Sequence, residues 1–460
     1  MKKQIRLNGF TLNSVAPHSP GLWRHPEDQG QRHGDLDYWT DMARLLEKGK
    51  FDAVFLADVL GIYDVYGDSP DAAIEHAVQV PLHNTLLQIS AMAAVTEHIG
   101  FAPTYSATYT EPYKLARDFS TLDHLTKGRV AWNIVTSYLK SEAVNLGLAD
   151  QIEHDKRYDR ADEYMDVVYK LWEHSWEEDA VEANRETGVY TNPDKVHPIN
   201  HKGDYFSVPG SHLVEPSPQR TPVLFQAGAS EKGRAFAAKH AEALFTTLAS
   251  DLDELKAFTK EIRERAVDAG READDIKIFP GIVPIVGKTE EAAQKKYEEL
   301  LSYVSYEGTA AMLSGHTGVD FSRYDPDQYV EDVTTNASHG FLKKYSSSTT
   351  RKWTVREAVL HHGLGIGATK VVGTPDQIAD ALEEMANEGD ADGFNIIQAA
   401  SPVTFEDFIE HVVPVLQKRG SYRTEYEAST LRENLFGAGR VRTSNNHPSK
   451  KIAGLSGVNV

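Results

Sequence analysis

The 460-residue chain contains no cysteine. That excludes a disulfide scaffold, zinc-thiolate sites and a thiol nucleophile. Basic residues are in deficit: 48 Lys and Arg against 68 Asp and Glu give a formal net charge of −20. Such a surface repels nucleic acid and anionic membranes, so neither is expected as a partner. A phosphate-bearing cofactor would have to be held by local backbone N–H groups and a few side chains. Long apolar runs are missing too. No stretch approaches the roughly 20 apolar residues of a transmembrane helix, and the N-terminal MKKQIRLNGF has no apolar h-region. The expected location is cytoplasmic. The sequence also lacks the HExxH metal motif, an Asp-rich calcium loop and the GxSxG nucleophile elbow. Its 19 His show no recurring ligand spacing, so no metal is expected and a metal-dependent barrel hydrolase is the outside alternative. Gly363, Gly365 and Gly367 follow no clear strand and open no clear dinucleotide-binding helix.

What is present is an alternation. Short β-rich apolar runs at 5–10, 53–57, 101–107, 130–136, 223–227, 243–248, 276–286 and 394–398 alternate with amphipathic stretches. Near-continuous apolar strands suit a parallel sheet buried on both faces. Leu115, Phe119, Leu122 and Leu125 follow one helical face, and Tyr158, Ala161, Met165, Val168 and Trp172 another. Eight strand–helix alternations predict an α/β fold, a (β/α)8 TIM barrel. A barrel of about 250 residues leaves room for two large insertions, at about 175–220 and 307–368. We read residues 1–436 as one barrel domain and 437–460 as a polar C-terminal tail. The stretch from Gly420 onward reads as surface that wraps a partner subunit.

Barrel enzymes work at the C-terminal ends of their strands. The polar residues there are Asp58, then Thr104, Ser106 and Thr108, then Asn133, Thr136, Ser137 and Tyr138. Loop solvation or helix capping is the plain alternative for each. In QAGASEKGR, at 226–234, small residues lead from a strand into a helix. The exposed N–H groups of Ala229 and its neighbours, with the Ser230 hydroxyl, suit a cofactor phosphate; the alternative is an ordinary turn with Ser230 as N-cap. His154 and Tyr158 open the helix after the fourth strand, where they either reach the same phosphate or only start the helix. His316 lies in a glycine-flanked SGHTG segment, read as a loop that either covers an active site or is merely exposed.

Several longer motifs carry a resemblance. They are GLWRHP at 21–26, EKGKFDAVFLAD at 47–58, TLDHLTKGRVAWNIVTS at 121–137, HDKRYD at 154–159, EPSPQRTP at 215–222, QAG at 226–228 and VPVLQ at 413–417. Over about residues 4–436 the chain resembles the bacterial luciferase-like flavin monooxygenases. The similar branch contains the nitrilotriacetate, dibenzothiophene sulfone, dimethyl sulfide and long-chain alkane enzymes. The resemblance implies a two-component, FMNH2-dependent monooxygenase. Reduced FMN would come from a separate NAD(P)H:flavin reductase and react with the co-substrate O2 as a C4a-(hydro)peroxyflavin. The oxygen acceptor would be a small organosulfur or alkane-like molecule, often with C–S cleavage.

Carried over residue by residue, the resemblance places the isoalloxazine near Asp58, Thr104, Ser106, Asn133, Thr136 and Ser137. It places the phosphate near His154, Tyr158, Ala229 and Ser230. His316, Ser14, Tyr63 and Tyr138 become the candidate catalytic residues, with His18 and Gln79 beside them. It also implies a homodimer or dimer of dimers. Two alternatives stand beside this reading. One is an N-dealkylating aminopolycarboxylate monooxygenase, although few basic residues end the strands. The other is a flavin-binding protein without oxygenase activity.

Overall fold

A computed structural model describes residues 3–228, 230–247, 251–332, 345 and 352–452. Eight parallel strands close into a barrel. They are β1 (Arg6–Leu12), β2 (Ala53–Ala57), β3 (Gly100–Ser106), β4 (Ala131–Val135), β5 (Val223–Gln226), β6 (Ala243–Thr246), β7 (Lys277–Val286) and β8 (Gly393–Ile397). Each pairs with the next, and β8 returns to β1 through Asn8 opposite Asn395. The predicted (β/α)8 class is the observed one. The one barrel-associated strand not read from the sequence is Thr369–Gly373, which pairs with the upper half of β7 at Ile282–Val286. It is only partly buried, so it lacks the solid apolar signature of the other eight.

The strands are buried on both faces, but their side chains serve two different cores. In β2, Val54 and Leu56 belong to the layer under the helices, whereas Ala53 and Phe55 belong to the barrel interior. In β4, Trp132 and Ile134 face the helices, while Ala131 lies in the interior cluster. By the same two-residue period Thr104 and Asn133 face inward with Ala102 and Ala131. The interior is filled by a chain of phenyl rings: Phe10 lies 4.9 Å from Phe55 and 5.1 Å from Phe245, and Phe55 lies 5.6 Å from Phe225. Each buried ring contributes on the order of 2–3 kcal/mol. Phe10, Phe55 and Phe245 thus pack against one another and give the polar strand ends a rigid apolar floor.

The segment 175–220 is mostly irregular and includes a short antiparallel pair, His201–Lys202 with Ser207–Val208. It is fastened by the Glu163 carboxylate, which accepts the backbone N–H groups of Asp204, Tyr205 and Phe206. The segment 307–368 includes most of the helix Tyr306–Thr317 and the helix Val355–Gly363, packed through Ala310, Leu313, Val355 and Val359. Two sequence expectations need correction here. SGHTG is not a loop: Ser305 caps the helix by accepting from Gly308 N–H, and His316 sits in its last turn before the left-handed Gly318. Gly315 in that turn allows the Tyr63 ring to press against the helix, since a Cβ there would collide with it. Nor is the stretch after Gly420 only surface. Tyr422, Arg432, His447 and Ser449 are buried against the chain's own barrel, because their polar groups meet partners there rather than water. Tyr422 donates to the Gly49 carbonyl, and a His447 ring nitrogen lies 3.0 Å from the His240 carbonyl oxygen. Among the described residues no helix is long and apolar enough to cross a membrane.

Candidate active site

A cavity of about 490 Å³ lies at the C-terminal ends of β2, β3 and β4, and Asp58, Thr104, Ser106, Ser137 and Tyr138 all line it. Asp58 follows directly on β2, and its carboxylate accepts from the Thr85 hydroxyl at 3.1 Å. Burial pushes its pKa up to about 6 against that hydrogen bond. Thr104 and Asn133 face each other across β3 and β4. Asn133 Nδ2 donates to Thr104 Oγ1 at 2.8 Å, which leaves Asn133 Oδ1 buried without a partner. A buried orphan acceptor beside phenyl rings suits a planar heteroaromatic ring that bears N–H groups.

Ser137 has a left-handed backbone with φ 61°. A non-glycine residue held there stores strain, which recurs at functional sites. Its hydroxyl bridges two others: Ser106 Oγ lies at 2.8 Å, and Ser137 Oγ donates to Glu142 Oε1 at 2.8 Å. Glu142 is a cavity-lining residue that sequence reasoning missed. It is 2% exposed, and burial pushes its pKa up to about 7, with the nearby Asp58 adding to the rise. Thr136 contributes differently. Its carbonyl accepts the Thr108 hydroxyl at 2.8 Å, and its side chain is not among those lining the cavity.

The candidate catalytic residues form one hydrogen-bonded group and one outlier. Tyr63 is buried at its centre. Its hydroxyl donates to Gln79 Oε1 at 3.0 Å and lies 2.5 Å from the Tyr138 hydroxyl and 3.1 Å from His316 Nε2. The His316 ring meets both tyrosines edge-on. His316 keeps more than a third of its surface open, so it borders open space rather than a packed core. The surrounding protein still disfavours its charged form and lowers its pKa. His18 stacks on Phe10 at 4.3 Å, and burial pushes its pKa down to about 3. Ser14 stands apart. It is bridged to Leu82, which lines the cavity, but its own hydroxyl is buried and unpartnered.

At the end of β5 the chain turns into the helix Glu231–His240. Ser230 caps it by accepting from Gly233 N–H at 3.0 Å. Tyr158 reaches over the same turn: a Cβ on Gly233 would lie 2.8 Å from the Tyr158 hydroxyl and 3.0 Å from Gly228 Cα. Two glycines thus keep the backbone bare under a tyrosine hydroxyl at a helix N-terminus, an arrangement that fits a phosphate. The His154 ring packs 5.2 Å from Tyr158, while its Nδ1 contacts Asp155 at 2.8 Å. Ala229 lies outside the described residues. No group of three or more His, Cys, Asp or Glu among the described residues forms a metal cluster.

A parallel barrel with a glycine-flanked helix start and a hydroxyl-rich cavity at the same end defines a class: a (β/α)8 enzyme with its site at the C-terminal ends of the strands. Residues 15–392 match the family of luciferase-like monooxygenases. A long-chain alkane monooxygenase of Geobacillus thermodenitrificans is 51% identical over 99% of this chain and 99% of its own. A crystal structure of a long-chain alkane monooxygenase superposes with a TM-score of 0.91 at 50% identity, covering 98% of this chain and 100% of that one. A dimethyl-sulfide monooxygenase of Hyphomicrobium sulfonivorans is 48% identical over 98% and 94% of the two chains. A riboflavin lyase, solved with modified FMN and riboflavin, is 37% identical with a TM-score of 0.90, covering 98% and 99%. The chain belongs to the luciferase-like monooxygenase family, and it is a flavin-dependent monooxygenase.

Proposed function

We propose that the protein binds FMNH2 delivered by a separate NAD(P)H:flavin reductase and uses O2 to oxygenate a small organosulfur or alkane-like molecule, working as a homo-oligomer. One observation carries this reading: the helix-start cradle and the cavity end neighbouring strands of one barrel, within a family that includes enzymes named for alkanes and dimethyl sulfide. When bound, the flavin supplies the activation of O2.

The chain's own residues supply the rest. Ser230 and Tyr158, with the bare backbone at Gly228 and at Gly233, would hold the phosphate. Thr104 and Asn133 would orient the ring, with the unpartnered Asn133 Oδ1 available as an acceptor. The Ser106–Ser137–Glu142 chain fixes hydroxyl directions beside the ring: while Glu142 is ionised it accepts from Ser137, which in turn accepts from Ser106. Tyr63, Tyr138 and His316 hold or move a proton at the substrate end, with the hydroxyl of Tyr63 joining the other two. The apolar wall excludes water.

The test is oxygen uptake by the purified protein with NADH and a generic flavin reductase, over alkyl sulfides, aryl sulfones, aminopolycarboxylates and alkanes. Labelled oxygen should appear in a product of a sulfide or an alkane. Failure to bind reduced FMN in stopped-flow mixing would sink the reading.

A further inference from the structure

Two carboxyls, from different parts of the chain, line the cavity that receives the flavin ring in the function proposed above. Asp58 follows β2, and Glu142 comes from the helix Lys140–Asn145. They stand near enough for the charge of Asp58 to bear on Glu142. Each is met by a hydroxyl: Thr85 donates to Asp58 and Ser137 to Glu142. No Lys or Arg is among the described residues that line the cavity. The charge of Arg157 reaches Glu142 and opposes the rise in its pKa, but that guanidinium commits a nitrogen to the Ile152 carbonyl. Tyr109 and Tyr138 also face Glu142, and desolvation raises the pKa of both phenols, so they stay neutral near pH 8. His83 lines the mouth from the exposed side, with its ring 4.8 Å from that of His33. A polar cavity of this size admits water, which solvates whatever charge the two carboxyls carry. Seating a planar ring there displaces that water. An ionised carboxylate then loses solvation and gains no cation, whereas a protonated carboxyl loses little. An oxidised isoalloxazine offers several acceptor atoms and a single N–H, so a carboxylic acid O–H is also its better hydrogen-bonding partner.

We propose that seating the flavin ring in this cavity takes up a proton, held by the pair Asp58 and Glu142 with Glu142 as its principal site. The inference rests on the cavity being the flavin site of the proposed oxygenase, and it adds that flavin capture and release move a proton at the protein rather than at the ring. The free protein is poised for it, since burial already pushes Asp58 up to about 6 and Glu142 up to about 7. Loss of the cavity water raises both further. The gain in affinity is fully present below the free-protein values and is lost as pH rises through the higher values of the complex. Flavin therefore binds more weakly at alkaline pH.

The test needs no turnover. Oxidised FMN is the probe, because above pH 7 its ring is uncharged and its phosphate is already almost entirely a dianion. Its affinity, read by fluorescence quenching, should fall about fivefold or more between pH 7 and 8.5. Calorimetry at pH 7.5 in HEPES and in Tris, whose heats of ionisation differ, counts the proton directly. About half a proton or more should be taken up per flavin bound. Glu142→Gln should at least halve that count, and Glu142→Gln combined with Asp58→Asn should lower it further. Riboflavin, which keeps the ring and lacks the phosphate, should give the same count as FMN. A count that vanishes with riboflavin would place the proton at the phosphate end, beside His154, and overturn the proposal. FMN bound by the wild-type protein with no proton taken up overturns it as well, whether or not either variant folds. An unchanged count in the folded double variant overturns the role given to the two carboxyls. Oxygen uptake is read separately. Proton-coupled binding without oxygenation of any sulfide or alkane would refute the proposed activity and leave the coupling standing, and oxygenation with proton-free binding would do the reverse.

Discussion

Two buried glutamates at opposite ends of the barrel receive opposite treatment. Glu242 precedes β6 at the N-terminal end and is 1% exposed; Glu142 stands at the C-terminal mouth and is 2% exposed. Burial alone would raise both pKa values. At Glu242 the guanidinium of Arg432 overcomes this with contacts at 2.8 and 2.9 Å, and the carboxyl is held below its ordinary range. Arg432 also donates to the Thr221 and Val441 carbonyls and to Gln219 Oε1, so its polar edge is used up within the protein. Glu142 has only the Ser137 hydroxyl at hydrogen-bonding distance among the described residues, and its pKa rises to about 7. Equal burial with unequal pairing separates a closed floor from a mouth whose polar groups keep free valence for a guest.

The sharpest way to break this comparison is to open the floor. Arg432→Ala leaves Glu242 buried without its guanidinium partner, with the Leu224 N–H still donating to it. The expected loss is about 3–5 kcal/mol of unfolding free energy, the usual cost of removing one partner of a buried pair, measured by urea denaturation. A loss under about 1 kcal/mol would show that the floor tolerates an unpaired charge after all.

The mouth should respond with the opposite sign. Between pH 4.5 and 7 the folded Glu142 keeps a proton that the unfolded chain has released, so stability falls as pH rises through that window. Above it the cost of a buried charged carboxyl with no cation paired to it is fully present. Glu142→Gln should therefore stabilise the protein at pH 8 by about 2–3 kcal/mol and by nothing near pH 4. Urea melts of both proteins at the two pH values test this. A uniform loss across pH would mean that Glu142 is a structural partner of Ser137 and nothing more.

The sequence exposed one of these two ends much better than the other. Strands such as Ala53–Ala57 announce themselves because both faces are apolar, and the polar residues at their ends, such as Asp58 and Thr104, follow from the architecture. The helix start capped by Ser230 is legible because small residues between a strand and a helix leave few conformations. Glu142 was not, since KSEAVN reads as a solvated helix start and nothing local says that it folds over a cavity. Arg432 was hidden for the same reason: LRENLF is polar by composition, and only the barrel floor beneath it turns that polarity inward. SGHTG was misread as a loop because two glycines outweighed the capping Ser305 eleven residues before His316. Local rules find what is determined locally, while pairing across the barrel depends on contacts far apart in sequence.

A smaller effect separates the cradle from the cavity. Ser230→Asp keeps the N-cap, because aspartate serves that position as well as serine, but it places a negative charge where the phosphate would lie. Stability should hold within about 0.5 kcal/mol, while the affinity for reduced FMN drops by about 1–2 kcal/mol, roughly tenfold or more. Fluorescence titration of flavin alongside a thermal melt reads both. Unchanged affinity in a folded variant would remove Ser230 from the phosphate site.

The closest probe of the mouth is Tyr63→Phe. The ring stays packed against Gly315, so no cavity forms, and only the shared hydroxyl is lost. Gln79 Oε1 loses a donor from Tyr63, although its Nε2 still donates to the Pro17 carbonyl at 2.9 Å. The cost to folding should be about 1–3 kcal/mol, because three hydrogen-bonding contacts end on that hydroxyl. Tyr138 and His316, however, meet through Tyr63 and not through each other by any hydrogen bond described. If the three groups handle a proton together, turnover should fall by about tenfold or more with little change in KM, because the substrate's binding surface is intact while the route between the other two groups is cut. Turnover that falls only in step with stability would assign the Tyr63 hydroxyl to packing. The mouth would then resemble the floor more closely than its unpaired carboxylates suggest.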